Sequence, residues 1–406
     1  LQYPYLVLVN SLIPAILAGN AVILKPSPQT PTVVEEVAAA FAEAGLPENV
    51  LQYTHCGSPE MLEKLVRSPL VNHICFTGSV AGGLAVQKAA ADRIVSVGLE
   101  LGGKDPAYVR DDVDVAWAAE EIVDGAIFNS GQSCCAIERV YVHKNIYETF
   151  IAEVKKVLSK YRVGDPSEKT TQIGPVISKR AREMILTHIA EAIEKGARDE
   201  APANETFDNL PANGNYVKPT LLTDVNHNMR VMTEETFGPV LPVMKVESDE
   251  EAVKLMNDSE FGLTASIWTK DVPKAEGLIE QVEAGTVFIN RSDYPSPVSS
   301  THSAVSYSTK MTIDMSVGSC MDRLEELRSW CHAEQVRIRA IREAQELSCQ
   351  GLSEIDNSYM TCYPSLTAIG IEYQEVRLNR RTIEIDPGNN NITGRSQSME
   401  KNLRNG

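Results

Sequence analysis

The stretch Phe128-Asn129-Ser130-Gly131-Gln132-Ser133-Cys134-Cys135 brings a cysteine, through Gly and Gln, to the end of an apolar helical run. A thiol attacks carbon only as thiolate, so a nucleophilic cysteine needs a polar and partly open setting. A cysteine that merely packs is the commoner case, and both readings stand on this stretch alone. A second stretch, Leu99-Glu100-Leu101-Gly102-Gly103-Lys104, sets an acid among small and apolar residues. Desolvation there raises a carboxyl pKa and suits it to general-base work, although a junction Glu reads the same way; the two glycines suggest a hinge or a close backbone approach. Third, Phe76-Thr77-Gly78-Ser79 with Gly83 beyond it resembles a strand-to-helix turn that admits a pyrophosphate to a helix N-terminus. Its spacing is not the usual Gly-x-Gly-x-x-Gly, and most such turns are only turns. Lys25-Pro26-Ser27 follows a short apolar run, and Glu234-Glu235-Thr236-Phe237-Gly238-Pro239 sets acids and an aromatic before a turn. Each of these two is weak by itself.

The elements that must position these residues alternate in the manner of an α/β protein. Residues 21–24 read as a buried strand and 50–53 and 71–76 as second and third strands, with helices over 32–44, stopped by Gly45 and Pro47, and 59–67, opened by Ser58. Three such units predict a doubly wound parallel sheet over residues 1–103. A second α/β domain is expected over 104–297, with strands at 106–109, 140–142, 216–222, 240–246 and 286–290. Its helices are expected at 114–128, 147–161, 249–257 and 274–282, and 197–214 reads as a surface loop. Near Pro297 the character changes to a divergent tail, 298–406, with one charged helical stretch over 322–347 and a polar end, 388–406, too poor in apolar residues to fold alone.

Composition narrows the partners. With 406 residues and 43% hydrophobic content the chain has material for two or more cores. A net charge of −17 opposes nucleic acid and anionic lipid, so neither is an expected partner. The most apolar neighbourhood, 5–18, is interrupted by Asn10, Ser11 and Pro14 and lacks the basic start of a signal peptide, so no membrane span is expected. The 8 cysteines include no pair at zinc-knuckle spacing, which points to a reducing cytoplasm and no metal site.

Taken in order, Lys25-Pro26-Ser27, Phe76-Thr77-Gly78-Ser79, Glu100-Leu101-Gly102-Gly103-Lys104, Gly131-Gln132-Ser133-Cys134 and Glu235-Thr236-Phe237-Gly238-Pro239 resemble the signatures of the aldehyde dehydrogenase superfamily, non-acylating branch. The likeness extends through 12–22, 261–265 and 284–290 and ends at 297. It implies oxidation of a small-molecule aldehyde to an acid with NAD or NADP, through a thioester on Cys134 that Glu100 helps to hydrolyse. It also implies cofactor contacts at Lys25, Ser27, Gly78, Ser79, Gly83, Leu101, Glu235 and Phe237, and substrate contacts at Tyr3, Val7, Asn10, Phe128 and Ser133. Pro28 stands where NAD-preferring relatives often carry an acid, so the resemblance leaves both cofactors open.

Three departures accompany it. Gln2 takes the place of the family's oxyanion-binding Asn, and a displacement of about 1 Å at such a site costs roughly 100-fold in rate. The segment that the family carries before this point, and the Gly-Gly-x-Lys-x-Ser-Gly and final strand after it, have no counterpart. The chain is therefore expected to be truncated, without the family's oligomerisation module and with no assigned homo-oligomer. An inactive remnant or pseudoenzyme, and an interaction protein using the tail helix, are the competing readings.

Overall fold

In the computed structural model, residues 3–210 and 214–292 are described, together with the backbone of three short strand segments, 303–304, 381–385 and 392–396. The chain divides into two compact units, one formed by Leu1–Ser11 with Val71–Gly318, the other by Leu12–Leu70 with Ser319–Gly406.

In chain order the early elements are α1 (Pro4–Leu17), β1 (Val22–Leu24), α2 (Val33–Glu43), β2 (Leu51–Tyr53) and α3 (Pro59–Arg67). The β1 and β2 strands pair in parallel, Ile23 opposite Gln52. Ser58 caps α3 as its sequence predicts, its hydroxyl accepting the Met61 N–H at 3.3 Å. Gly45, at φ +84°, ends α2 in the left-handed conformation that glycine adopts without strain. The apolar neighbourhood at 5–18, expected only as an interrupted run, is the helix α1 with Pro14 inside it.

The other unit continues with β3 (His73–Thr77), α4 (Val80–Ala90), β4 (Ser96–Glu100), β5 (Asp105–Val109), α5 (Val115–Ile127), β6 (Ile137–His143), α6 (Tyr147–Leu158) and α7 (Lys179–Glu194). Then come β7 (Arg198–Asp199), α8 (Glu205–Asp208), β8 (Thr220–Thr223), α9 (Arg230–Thr233), β9 (Val240–Val246), α10 (Asp249–Asn257), β10 (Thr264–Trp268), α11 (Val272–Ile279), β11 (Thr286–Ile289) and β12 (Ser303–Ala304). β3 and β4 pair in parallel. Among the described residues, a sheet of 8 strands runs β12-β11-β10-β5-β6-β9-β8-β7, parallel within and antiparallel at its two edges. Its central strands are buried on both faces, which is why β5 and β10 lack the alternation of a half-exposed strand. Ala107, Val109, Val140 and Val142 point to one side, against α5 and α6; Tyr108, Tyr141, Ala265 and Ile267 point to the other, against α7, α10 and α11.

This α/β architecture of parallel strands is the expected fold class. Within the stretch expected as a surface loop, 197–214, β7 edges the sheet and α8 buries Phe207. The strand expected over 216–222 is confined to Thr220–Thr223. In the tail, β13 (Arg381–Ile385) and β14 (Ile392–Ser396) pair antiparallel, β14 lying in the polar end from which no structure was expected. The helix expected over 322–347 lies outside the described residues.

Candidate active site

Two parallel strands bring the first group of residues together. Thr77, the last residue of β3, sits opposite Glu100, the last of β4. The Gly78 N–H donates to the Glu100 carbonyl at 2.9 Å. Gly78, Ser79 and Glu100 thus share the carboxyl edge of adjacent strands, where open α/β sheets take their ligands. Ser79 caps α4, its hydroxyl accepting the Gly82 N–H at 3.2 Å. The first turn of α4 presents its N–H groups at this edge, a setting suited to phosphate. A Cβ at Gly83 would meet Leu101 at 2.4 Å, so glycine there lets α4 close onto the segment after β4.

The cysteine loop leaves α5 through a turn that few residues tolerate. Asn129, Ser130 and Gly131 take φ of 53°, 60° and 69° in succession, all left-handed. Side chains hold the turn. The Ser130 hydroxyl donates to the Gly174 carbonyl at 2.9 Å, and the Gln132 amide donates to the Asn129 carbonyl at 3.0 Å while accepting the Ile177 N–H at 2.8 Å. A Cβ at Gly131 would lie 2.1 Å from the Gly238 carbonyl oxygen. Cys134 emerges half-buried, with buried Cys135 beside it and their sulfurs 3.6 Å apart. Phe128, exposed at the start of the turn, stacks with Tyr3 at 6.1 Å between ring centroids.

A third group ties the other two. A Cβ at Gly103 would lie 2.2 Å from the Cys134 carbonyl oxygen, and one at Gly102 would lie 2.5 Å from Oε2 of Glu235. The Gly103 N–H donates to Oε1 of Glu235 at 3.1 Å. The two glycines therefore provide a close backbone approach, as the sequence suggested. Desolvation pushes the Glu100 carboxyl up from 4.5 to about 7. Glu235 is also pushed up to about 7, by desolvation and then by the charge of Glu138.

Beneath these residues, Lys104 and Glu138 form a buried ion pair at 2.6 Å. Lys104 also donates to the Thr236 hydroxyl at 3.1 Å, and Glu138 accepts the N–H groups of Thr236 at 2.7 Å and Phe237 at 2.8 Å. Desolvation lowers the Lys104 pKa against the pull of Glu138. Lys104 lies in a motif that the sequence singles out without giving it a role, and Glu138 lies in none. The available signal was an acid inside the apolar strand 137–143, four residues after Cys134.

The structure thus gathers Gly78, Ser79, Gly83, Glu100, Leu101, Cys134, Glu235 and Phe237 within one unit. Lys25 and Ser27 follow β1 in the other unit, where the Ser27 hydroxyl accepts the Gln29 N–H at 3.3 Å. Gln2 lies outside the described residues.

The aldehyde dehydrogenase family matches residues 2–304, reaching beyond Pro297. The chain is 38% identical over 294 residues to lactaldehyde dehydrogenase of Escherichia coli K12, covering 72% of this chain and 60% of that protein. It is 38% identical over 290 residues to human retinaldehyde dehydrogenase 3, covering 71% of this chain and 56% of that protein. Among solved structures, a Mycobacterium tuberculosis aldehyde dehydrogenase complexed with NAD+ superposes with TM-score 0.68 at 37% identity, over 74% of this chain and 62% of that one. An NADP-dependent glyceraldehyde-3-phosphate dehydrogenase from Bacillus halodurans complexed with NADP gives TM-score 0.67 at 38% identity, over 73% and 60%. Motifs, fold and relatives agree, and this chain belongs to the aldehyde dehydrogenase family.

Proposed function

We propose that the protein oxidises an aldehyde to a carboxylic acid with NAD or NADP, by way of a thioester on Cys134. The observation that carries this reading is the junction at Gly103. Its backbone packs on the Cys134 carbonyl, its N–H holds Glu235, and three residues earlier stands Glu100, a carboxyl desolvated to a pKa of about 7. A nucleophile, a base poised near neutrality and a cofactor-binding acid would thereby be served by one short segment.

The residues fit a dinucleotide. The α4 N-terminus with Gly78 and Ser79 would take the pyrophosphate, Gly83 and Leu101 would support that turn, and Glu235 with Phe237 would hold the nicotinamide ribose. By resemblance Lys25 is assigned to the adenosine ribose, and Ser27 to the cofactor. When bound, the nicotinamide supplies the hydride acceptor. For the chain's own part, the Cys134 thiolate adds to the aldehyde carbon, and its backbone N–H stabilises the oxyanion, with the Gln2 amide as the second donor. After oxidation leaves an acyl group on sulfur, Glu100 removes a proton from water as its oxygen attacks the acyl carbon. The carbon–sulfur bond breaks, releasing the acid and restoring the thiolate. The stacked Tyr3 and Phe128 rings would offer an apolar wall to the aldehyde's chain. A thiol mechanism beside a second cysteine suits a reducing compartment such as the cytoplasm.

The relatives extend well past this chain, which spans 60% and 56% of the two described above. In this reading residues 1–103 form the cofactor domain and 104–297 the thiol domain. A direct test is mass spectrometry of full-length Glu100→Gln after exposure to an aldehyde with NAD or NADP. An acyl adduct on the peptide carrying Cys134 is expected; unmodified Cys134 in soluble protein, with no acid formed by the parent chain, would refute the thioester route.

A further inference from the structure

Phe237 has φ of 52° without being glycine, an unfavourable conformation that its surroundings must hold in place. The agent is Glu138. One of its carboxylate oxygens accepts the Thr236 N–H and the other accepts the Phe237 N–H, so the side chain spans the two peptide units that follow Glu235. Lys104 neutralises it at 2.6 Å and donates to the Thr236 hydroxyl, while the residue before Lys104, Gly103, donates to Glu235. Both side chains of the pair are almost fully buried, where charge-assisted hydrogen bonds are strong and an unpaired charge is expensive. The turn beyond is pinned as well, for the Gly238 carbonyl packs on Gly131.

We propose that Glu138 is a positioning residue for the cofactor, its carboxylate holding the Thr236–Phe237 turn so that Glu235 faces the Gly103 N–H in the geometry that receives the nicotinamide ribose. Lys104 is its counter-charge. Glu138 touches neither substrate nor cofactor in this account; it acts through the two N–H groups it accepts. The inference rests on the dehydrogenase reading for its ligand, and its own content is that an acid on β6 sets cofactor affinity separately from thiol reactivity.

The test compares full-length parent, Glu138→Ala and Glu138→Gln for NADH and NADPH affinity by fluorescence titration, for Cys134 alkylation by iodoacetamide without cofactor, and for folding by circular dichroism. Loss of charge-assisted hydrogen bonds should weaken cofactor binding by about tenfold to a hundredfold in Glu138→Ala, with Glu138→Gln between it and the parent. Alkylation of Cys134 should stay close to the parent rate. The pH dependence of affinity is a further readout, because Glu138 and Lys104 both act on Glu235 and Glu138 raises its pKa. In Glu138→Gln the transition should move to lower pH. Unchanged affinity in both variants, or equal losses of affinity and thiol reactivity, would overturn the proposal. If Glu138→Gln does not fold, the pair Glu138→Gln with Lys104→Met, which removes both charges, takes its place. If that pair also fails to fold, the role of Glu138 is structural and the proposal is overturned. A parent chain that binds neither NADH nor NADPH refutes the dehydrogenase reading instead, so the two failures are told apart.

Discussion

At the scale of single residues, the site depends on carboxyls taken out of water. Glu100 and Glu235 both stand at about 7, raised chiefly by desolvation. A base must be ionised to act, so acid release by the parent should rise with pH through about 7, and Glu100→Gln should lose that limb together with roughly 100-fold to 10,000-fold of the hydrolysis rate. Stopped-flow release of acid from pre-formed acyl-protein measures both. The same shifts bear on stability. A folded-state pKa above the unfolded value gives stabilisation that is full below about 4.5 and lost as pH rises through about 7. Denaturant unfolding of the parent should therefore show stability falling across that window, and Glu100→Gln should show a shallower fall. Cys134, Glu100 and Glu235 were singled out by residue type and motif order. Glu138 was not, because a buried acid inside a strand gains its meaning only from the Lys104 and Thr236–Phe237 groups that the fold brings to it.

At the scale of elements, glycines decide how closely the pieces approach. Gly131 is left-handed at φ 69° and has the Gly238 carbonyl where a Cβ would sit. Gly131→Ala should therefore displace the cysteine loop, lower thermal stability by more than about 1 kcal/mol and slow Cys134 alkylation; melting curves and iodoacetamide kinetics check this. Element type was readable where pattern and punctuation agreed. Helix α10 runs over the expected residues, and α3 starts at its Ser58 cap. By contrast α7 exposes most of its length and buries only Ile185, His188 and Ala192, too narrow a stripe to stand out in sequence. The strand expected over 216–222 is confined to the part that finds partners, in β9 on one side and β7 on the other.

At the scale of the molecule, the chain carries a net charge of −17, no helix among the described residues is long and apolar enough to cross a membrane, and Thr77 and Glu100 end the paired strands β3 and β4 side by side. Binding that favours the folded state should stabilise it by about 2.7 kcal/mol at a hundredfold excess over Kd, so NAD or NADP should raise the melting temperature of the full chain, and the cofactor with the larger effect is the preferred one. The α/β class was legible because strands and helices alternate along the sequence, whereas the tail offered no motif to read. The most direct test of the central claim is reduction of NAD or NADP by the full-length protein across a panel of aldehydes, beside Cys134→Ala. Turnover by the parent that falls to background in Cys134→Ala is the expected result. Turnover that survives in Cys134→Ala, or none from folded parent that binds cofactor, would contradict the account.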